Sequence, residues 1–328
     1  MADDIDFVLA WVDGDDPQWQ EERRAHLPPE GADARPALYR DWGLLPYWFR
    51  GVEAFAPWVR TIHFITWGHL PAWLNTAHPK LRIVRHGDFI PPEYLPTFNP
   101  NPIELNLHRI PELCEQFVYF NDDMFLLRRG TPSDFVRNGL PRDRLILSTI
   151  TPNDESISSI IFNDVRAINR HFGKHALLQR HWMKVFHPLN GIVGVKSLLT
   201  LPFPRFTGFQ DEHLPGFYTK RLFEEVWAAE RDLLRETCSH KYRQRTDVNQ
   251  WLMRYWLLAQ GLVSPCSRRR GRFFQMEERN DQLLRAIRSQ RYKMICCNDD
   301  SALDFEVQKR ALHEAFDAIL PKKSGFEI

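Results

Sequence analysis

Short apolar runs that stop at charged turns recur through the first third of the chain. Residues 5–12 read IDFVLAWV and end at Asp13-Gly14; a run of this length, apolar almost throughout, predicts a strand buried on both faces. Helical spacing follows over 41–55, then strand-like TIHFITW at 61–67 and a second short strand at 81–84 that ends near His86 and Asp88. This alternation predicts a parallel α/β layer. Proline and asparagine crowd 89–102, predicting a structured loop. Residues 103–114 return to helical spacing, and FVYF at 117–120 is another apolar strand, closing in Asn121-Asp122-Asp123. One more strand is expected at 145–150. From there to about 261 the pattern is mainly helical, with Phe223, Val226, Trp227, Leu233 and Leu234 on one apolar face. The tail carries SRRRGRFF and an amphipathic segment at 278–287, and no internal repeat or low-complexity linker interrupts the chain.

The chain has 328 residues, 43% hydrophobic and 13% aromatic, enough to bury a substantial core. Its 43 Lys and Arg nearly cancel 42 Asp and Glu. No global field favours nucleic acid, so anion recognition must be local. Five cysteines in no CxxC spacing argue against a disulfide framework and against a zinc site. The start at MADD offers no basic leader and no stretch approaches the length needed to cross a bilayer. A cytoplasmic protein is expected, with peripheral attachment to the inner face of the membrane left open.

Two acidic clusters follow apolar strands: Asp13, Asp15 and Asp16 in WVDGDDP, and Asp122 with Asp123 in YFNDDMF. In an open α/β sheet the ligand crevice lies at the carboxyl ends of strands, where such groups suit Mg²⁺ or Mn²⁺ bridging to a diphosphate. The plainer alternative is a polar turn closing each strand. FNPNPIELNLHRIP supplies Asn99, Asn101, Glu104, Asn106, His108 and Arg109; the arginine suits a phosphate and the asparagines sugar hydroxyls, unless they cap helices and turns. His213, beside Asp211 and Glu212, is a candidate general base. HKYRQRTDVNQWL offers Arg243, Arg245, Asp247 and Asn249, with arginine suited to a transferring phosphoryl group and Thr246 or Asp247 equally suited to an N-cap. The run at Arg268, Arg269, Arg270 and Arg272 reads as a solvated loop or, if it binds, as a contact for an anionic polymer or lipid headgroup.

In that order the segments resemble the Stealth family of phosphotransferases. DIDFVLAWVDGDDPQW, at about 4–19, is similar to its first signature region. The stretch from YRDWG through FNPNPIELNLHRIP to FVYFNDDMFLLR, at about 39–129, resembles the second; HLPGFYTKRLFEEVW, at 213–227, the third; and YRQRTDVNQWLMRYWLLAQG, at 242–261, the fourth. On this resemblance 1–261 form the catalytic domain, and 262–328, which match none of the four, form a helical extension packed on it. The family includes bacterial capsular polysaccharide phosphotransferases and the catalytic subunit of the lysosomal-enzyme N-acetylglucosamine-1-phosphotransferase.

The resemblance implies an α/β, GT-A-like core with a mainly parallel sheet, a UDP-hexose or UDP-HexNAc donor, a glycan acceptor and Mg²⁺ or Mn²⁺. It implies transfer of hexose 1-phosphate, for example GlcNAc 1-phosphate, with release of UMP in polysaccharide biosynthesis. Asp13 and Gly14 would then line the donor site and Asp122 and Asp123 would hold metal. His213 would be the base, Arg243 would steady the phosphates and Asn249 would help place the donor, while Asn99, Asn106, His108 and Arg109 remain candidates for substrate contact on their residue chemistry alone. Two positions depart from the family pattern: YRQRTDVN stands where FRSPEDVN is usual, adding Arg245, and Leu214 follows His213 where threonine is expected. The alternatives are a glycosyltransferase that releases UDP and a catalytically silent glycan-binding protein.

Overall fold

The computed structural model describes residues 4–26, 40–151, 156–299 and 304–328. Strand β1 (Ile5–Ala10) lies at the centre of the main sheet and leads into helix α1 (Pro17–Ala25). Helix α2 (Leu45–Phe55), β2 (Ile62–Thr66), β3 (Leu81–Arg85), the short helix α3 (Pro100–Leu105) and β4 (Gln116–Asn121) follow. The chain then crosses at once into β5 (Met124–Leu126), passes the small hairpin β6 (Val136–Arg137) and β7 (Leu140–Asp143), and enters helices α4 (Ser156–His171), α5 (Lys174–Val185) and α6 (Val195–Leu199). Next come β8 (Gly216–Thr219) and helices α7 (Lys220–Ala229), α8 (Arg231–Ser239) and α9 (Trp251–Gln260). The chain closes with β9 (Ser264–Pro265), β10 (Gly271–Gln275), α10 (Asp281–Arg288), β11 (Met294–Asn298) and α11 (Phe305–Asp317).

The main sheet runs β3-β2-β1-β4-β8. Its first four strands are parallel and β8 joins antiparallel to β4, so the expected α/β class with a mainly parallel sheet is what the chain adopts. From β1 the order runs outward one way through β2 and β3, then returns to place β4 on the other flank. The switch therefore falls between the carboxyl ends of β1 and β4, where a crevice opens in sheets of this kind.

Successive strand residues face opposite sides, and the two sides bury separate apolar layers. Phe7, Leu9, Val118 and Phe120 pack with α2, α10, α11 and the sheet β10-β11-β5, while Val8, Ile65, Phe117 and Tyr119 pack with residues of α4, α7, α8 and α9.

Several expected elements differ. The helix expected at 103–114 shrinks to α3 and a single turn at 107–109, because Asn99 caps it at one end and Asn106 closes it at the other. Residues 145–150 make one isolated bridge, Leu147 to Phe209, instead of a strand. The helical stretch before 261 contains β8. The tail is also not simply helical: β10 and β11 pair with each other and with β5, and Phe316 stacks on Tyr47 at 5.3 Å. The tail thus completes the same core. No helix among the described residues is long and apolar enough to cross a membrane.

Candidate functional site

The acidic turn after β4 sits where the chain leaves one sheet and enters another, since Asn121 still pairs in the main sheet and Met124 already pairs with β11. Two residues must cover the step, and they are Asp122 and Asp123. Around them opens a cleft of about 790 Å³ at the switch point, reaching from Trp11 and Val12 after β1 to Asn298 at the end of β11 and Asp299 beyond it, a size suited to a ligand of a few rings. Asp122, Asp123, His213, Arg243 and Asn249 all line it. Groups far apart in sequence therefore converge as the sequence reading requires.

Asp123 is held on several sides. Its carbonyl accepts the Cys297 N–H at 2.8 Å, and its Oδ2 accepts the Cys296 thiol at 3.1 Å and lies 3.7 Å from His213 Nε2. Its Oδ1 is buried with no hydrogen-bond partner. Burial pushes the Asp123 carboxyl up, but His213 and the thiol outweigh it and hold it below the usual carboxylate range. Asp122 behaves in the opposite sense: the cleft walls and the charge of Asp123 push its carboxyl up, though its exposed side chain keeps that push smaller than full burial would make it. A cation placed against the pair would relieve both the orphan oxygen and the repulsion.

His213 adopts φ of 42°, a left-handed backbone that an imidazole residue takes at a cost of about 1 kcal/mol or more. Trp251 and Phe273 hold its ring edge-on at 5.7 and 5.8 Å. Burial disfavours the imidazolium, yet the Asp123 carboxylate more than offsets it, leaving the His213 pKa raised. The strained segment is clamped from behind: Arg254 grips Asp143 with two N–H groups at 2.6 and 3.0 Å and donates to Asp211 at 2.7 Å, while the Tyr255 hydroxyl donates to the other Asp211 oxygen at 2.6 Å.

Arg243, which also lines the cleft, carries a buried Nε without a partner, and Glu104 lies near enough for their charges to couple. Burial raises the Glu104 carboxyl to about 7, Arg243 opposes that rise, and the Tyr119 hydroxyl donates to its Oε1 at 3.3 Å. Among the described residues Asp123, His213 and Cys296 bring ligand atoms within 4.8 Å of one another. The cysteine spacing gave no hint of this, and Asp122 is not in that group.

Other expected site residues lie elsewhere. Asn99 is fully buried; its Oδ1 accepts the Asn101 N–H to cap α3, and its amide donates to Asp247 at 2.8 Å. Asp247 also accepts from Asn101 at 2.9 Å and pairs with His240 at 2.6 Å, so this acid is a structural hub. Asn106 spends its amide on the Pro102 carbonyl. His108 stacks on Phe223, with its pKa driven down to about 3 by burial, and Arg109 lies over the Trp227 ring at 5.1 Å. None of these four lines the cleft: Asn106, His108 and Arg109 pack against α7 and α8, and Asn99 is spent on the cap of α3 and on Asp247. Asp13 and Gly14 stand just behind it: the Asp13 N–H donates to His69 Nε2 at 2.7 Å, its Oδ1 closes a turn with Asp15, and Gly14 gives its carbonyl to Gln20. Asp16 caps α1, so the polar-turn alternative holds for this cluster.

The reading missed Cys296 and Asp299, both from the tail, and Arg254. A signal existed for each: CCND after an apolar pair at 294–298 repeats the form of FVYFND, and Arg254 is the lone charge in WLMRYWLLAQ.

Residues 3–26 match conserved region 1 of Stealth proteins, 38–143 match conserved region 2 and 285–328 match conserved region 4. The fourth region is therefore at the C-terminus and not at 242–261, and the tail that resembled nothing carries it. The capsular polysaccharide phosphotransferase WcwK of Streptococcus pneumoniae is 40% identical across 100% of both chains. An exopolysaccharide phosphotransferase of Lactiplantibacillus plantarum is 38% identical over 99% of this chain and 96% of its own, and the receptor polysaccharide phosphotransferase WefC of Streptococcus gordonii 37% over 100% of both. Among solved structures, the galactosyltransferase LgtC, in complex with donor and acceptor sugar analogues, aligns over 96% of both chains with a TM-score of 0.40 and 12% identity. Relatives alike from end to end, together with three conserved regions in order, establish that this chain belongs to the Stealth family.

Proposed function

We propose that the protein transfers hexose 1-phosphate from a UDP-hexose or UDP-HexNAc to a glycan hydroxyl, releasing UMP, in the assembly of a surface polysaccharide. The observation that carries this reading is the convergence of Asp122, Asp123, His213 and Arg243 on one cleft at the switch point of the sheet. The polysaccharide phosphotransferases to which the chain is similar support it. Its place in the cytoplasm, against the inner face of the membrane, belongs to the same proposal.

His213 Nε2 takes the proton from the acceptor hydroxyl. The freed oxygen bonds to the β-phosphorus, the bond from that phosphorus to the bridging oxygen breaks, and UMP leaves with the electron pair. The anomeric bond of the sugar is untouched. Arg243, with an unpaired buried N–H, faces the charge that spreads over the phosphoryl oxygens. Asp122 and Asp123 would hold Mg²⁺ or Mn²⁺, which neutralises diphosphate charge when bound. The orphan Oδ1 of Asp123 fits that role. Positioning, more than covalent chemistry, supplies the acceleration.

The test is to incubate the protein with a panel of UDP-sugars and glycans, with and without divalent metal, and identify the nucleotide released. UMP that requires both metal and acceptor is expected. Release of UDP would replace the reading with a glycosyltransferase, and donor binding without turnover would replace it with a silent glycan-binding protein.

A further inference from the structure

Between 165 and 210 the sequence holds seven Lys or Arg and no Asp or Glu, in a chain whose total charge is +1. The same stretch reverses the usual order of burial. Trp182, Met183, Ile192, Leu198, Leu199 and Phe203 stand exposed, Ile192 at 79% and Leu199 at 70%, whereas Lys174, Asn190, Ser197 and Thr200 are buried beneath them.

The buried polar groups fasten the backbone from below. Lys174 Nζ donates to the carbonyls of Thr200, Leu201 and Phe203. The Asn190 amide donates to Val185 and Leu145, and Ser197 Oγ accepts the Leu147 N–H at 2.9 Å. Lys196 donates to Gln210 at 2.7 Å, next to the segment that carries His213. This is a rigid platform with its apolar side chains outward, and apolar surface of this extent marks a contact with something else.

The charge around it selects the partner. Arg180 and Arg205 are exposed on the stretch itself, and the turn 188–194 touches the turn that presents Arg268 and Arg269. A second copy docked face to face would press these like charges together. An anionic bilayer satisfies both features, since apolar insertion and a basic rim each supply one of the two signals that stable peripheral attachment needs.

We infer that the exposed apolar platform of residues 182–203, with the arginines of 268–269, is the surface by which this enzyme docks on an anionic lipid membrane. It deepens the proposed function by giving the inner-membrane placement a physical site.

The test is co-sedimentation of the full chain with vesicles of phosphatidylcholine alone or mixed with phosphatidylglycerol, across a salt series. Binding to the mixed vesicles that weakens with salt is expected. Ile192→Glu with Leu199→Glu, and separately Arg268→Glu with Arg269→Glu, each lower it on the order of tenfold or more; all four residues are exposed, so the fold is spared. UMP release with a soluble glycan stays unchanged in both variants, which keeps this test separate from that of the reaction. No binding to mixed vesicles at low salt would overturn the inference. So would binding that survives both variants, or a dimer in sedimentation that Ile192→Glu dissociates.

Discussion

Asp6 shows how much a single side chain can depend on its neighbours. It lies fully buried in β1, where its carboxylate accepts Arg60 at 2.8 and 2.5 Å, His63 at 3.0 Å and the Cys114 N–H at 2.9 Å. Burial raises its pKa, but these partners more than reverse that and leave it lowered. A depressed carboxylate contributes stability that is present above its unfolded value of about 3.9 and is lost as pH falls through the folded value. Asp6→Asn is expected to cost about 2 kcal/mol or more near neutrality, and its unfolding midpoint should vary less with pH below about 4 than that of the parent. In the cleft, His213→Ala should cut transfer by roughly 10²- to 10⁴-fold while leaving Mn²⁺ affinity, read by calorimetry, near the parent value. Asp123→Asn should weaken the metal itself. Equal loss of Mn²⁺ binding in both variants would make the imidazole a ligand instead of a base.

At the scale of elements, the clamp behind His213 sets the geometry of the site. Arg254 bridges β7 to the 211–213 segment. Replacing it with glutamine strands two enclosed carboxylates and should destabilise the fold by about 3 kcal/mol, with a loss of activity that soluble guanidinium restores only in part. The sequence made the carboxyl ends of β1 and β4 legible, because apolar runs ending in acids are short-range signals. It did not show which side of α3 its polar residues take. Asn99, Asn106, His108 and Arg109 look like a binding set in one dimension, but the cap at Asn99 starts the helix early, at Pro100, and its end at Leu105 leaves Asn106, His108 and Arg109 packed toward α7 and α8 while Asn99 holds Asp247. β8 and β11 were missed for a related reason: each is only four or five residues long, and such strands gain their stability from partners far along the chain.

For the whole molecule, the C-terminal residues decide whether the core closes. Phe316 is fully buried against Tyr47 and Phe125, so Phe316→Ala should lower stability by about 3–5 kcal/mol, visible as a drop in thermal midpoint with a single transition retained. The motif pattern divided the chain at 261, whereas the packing makes 262–328 a structural partner of α2 and β5.

The step from Asn121 to Met124 has one more implication. A single dipeptide spans the main sheet and the sheet that β5 forms with the C-terminal strands β10 and β11, so the contacts that fix Asp123 exist only once those strands are in place. A chain ending before β10 would present the Asp122–Asp123 turn without the Cys296 thiol and Cys297 N–H that hold Asp123 in place.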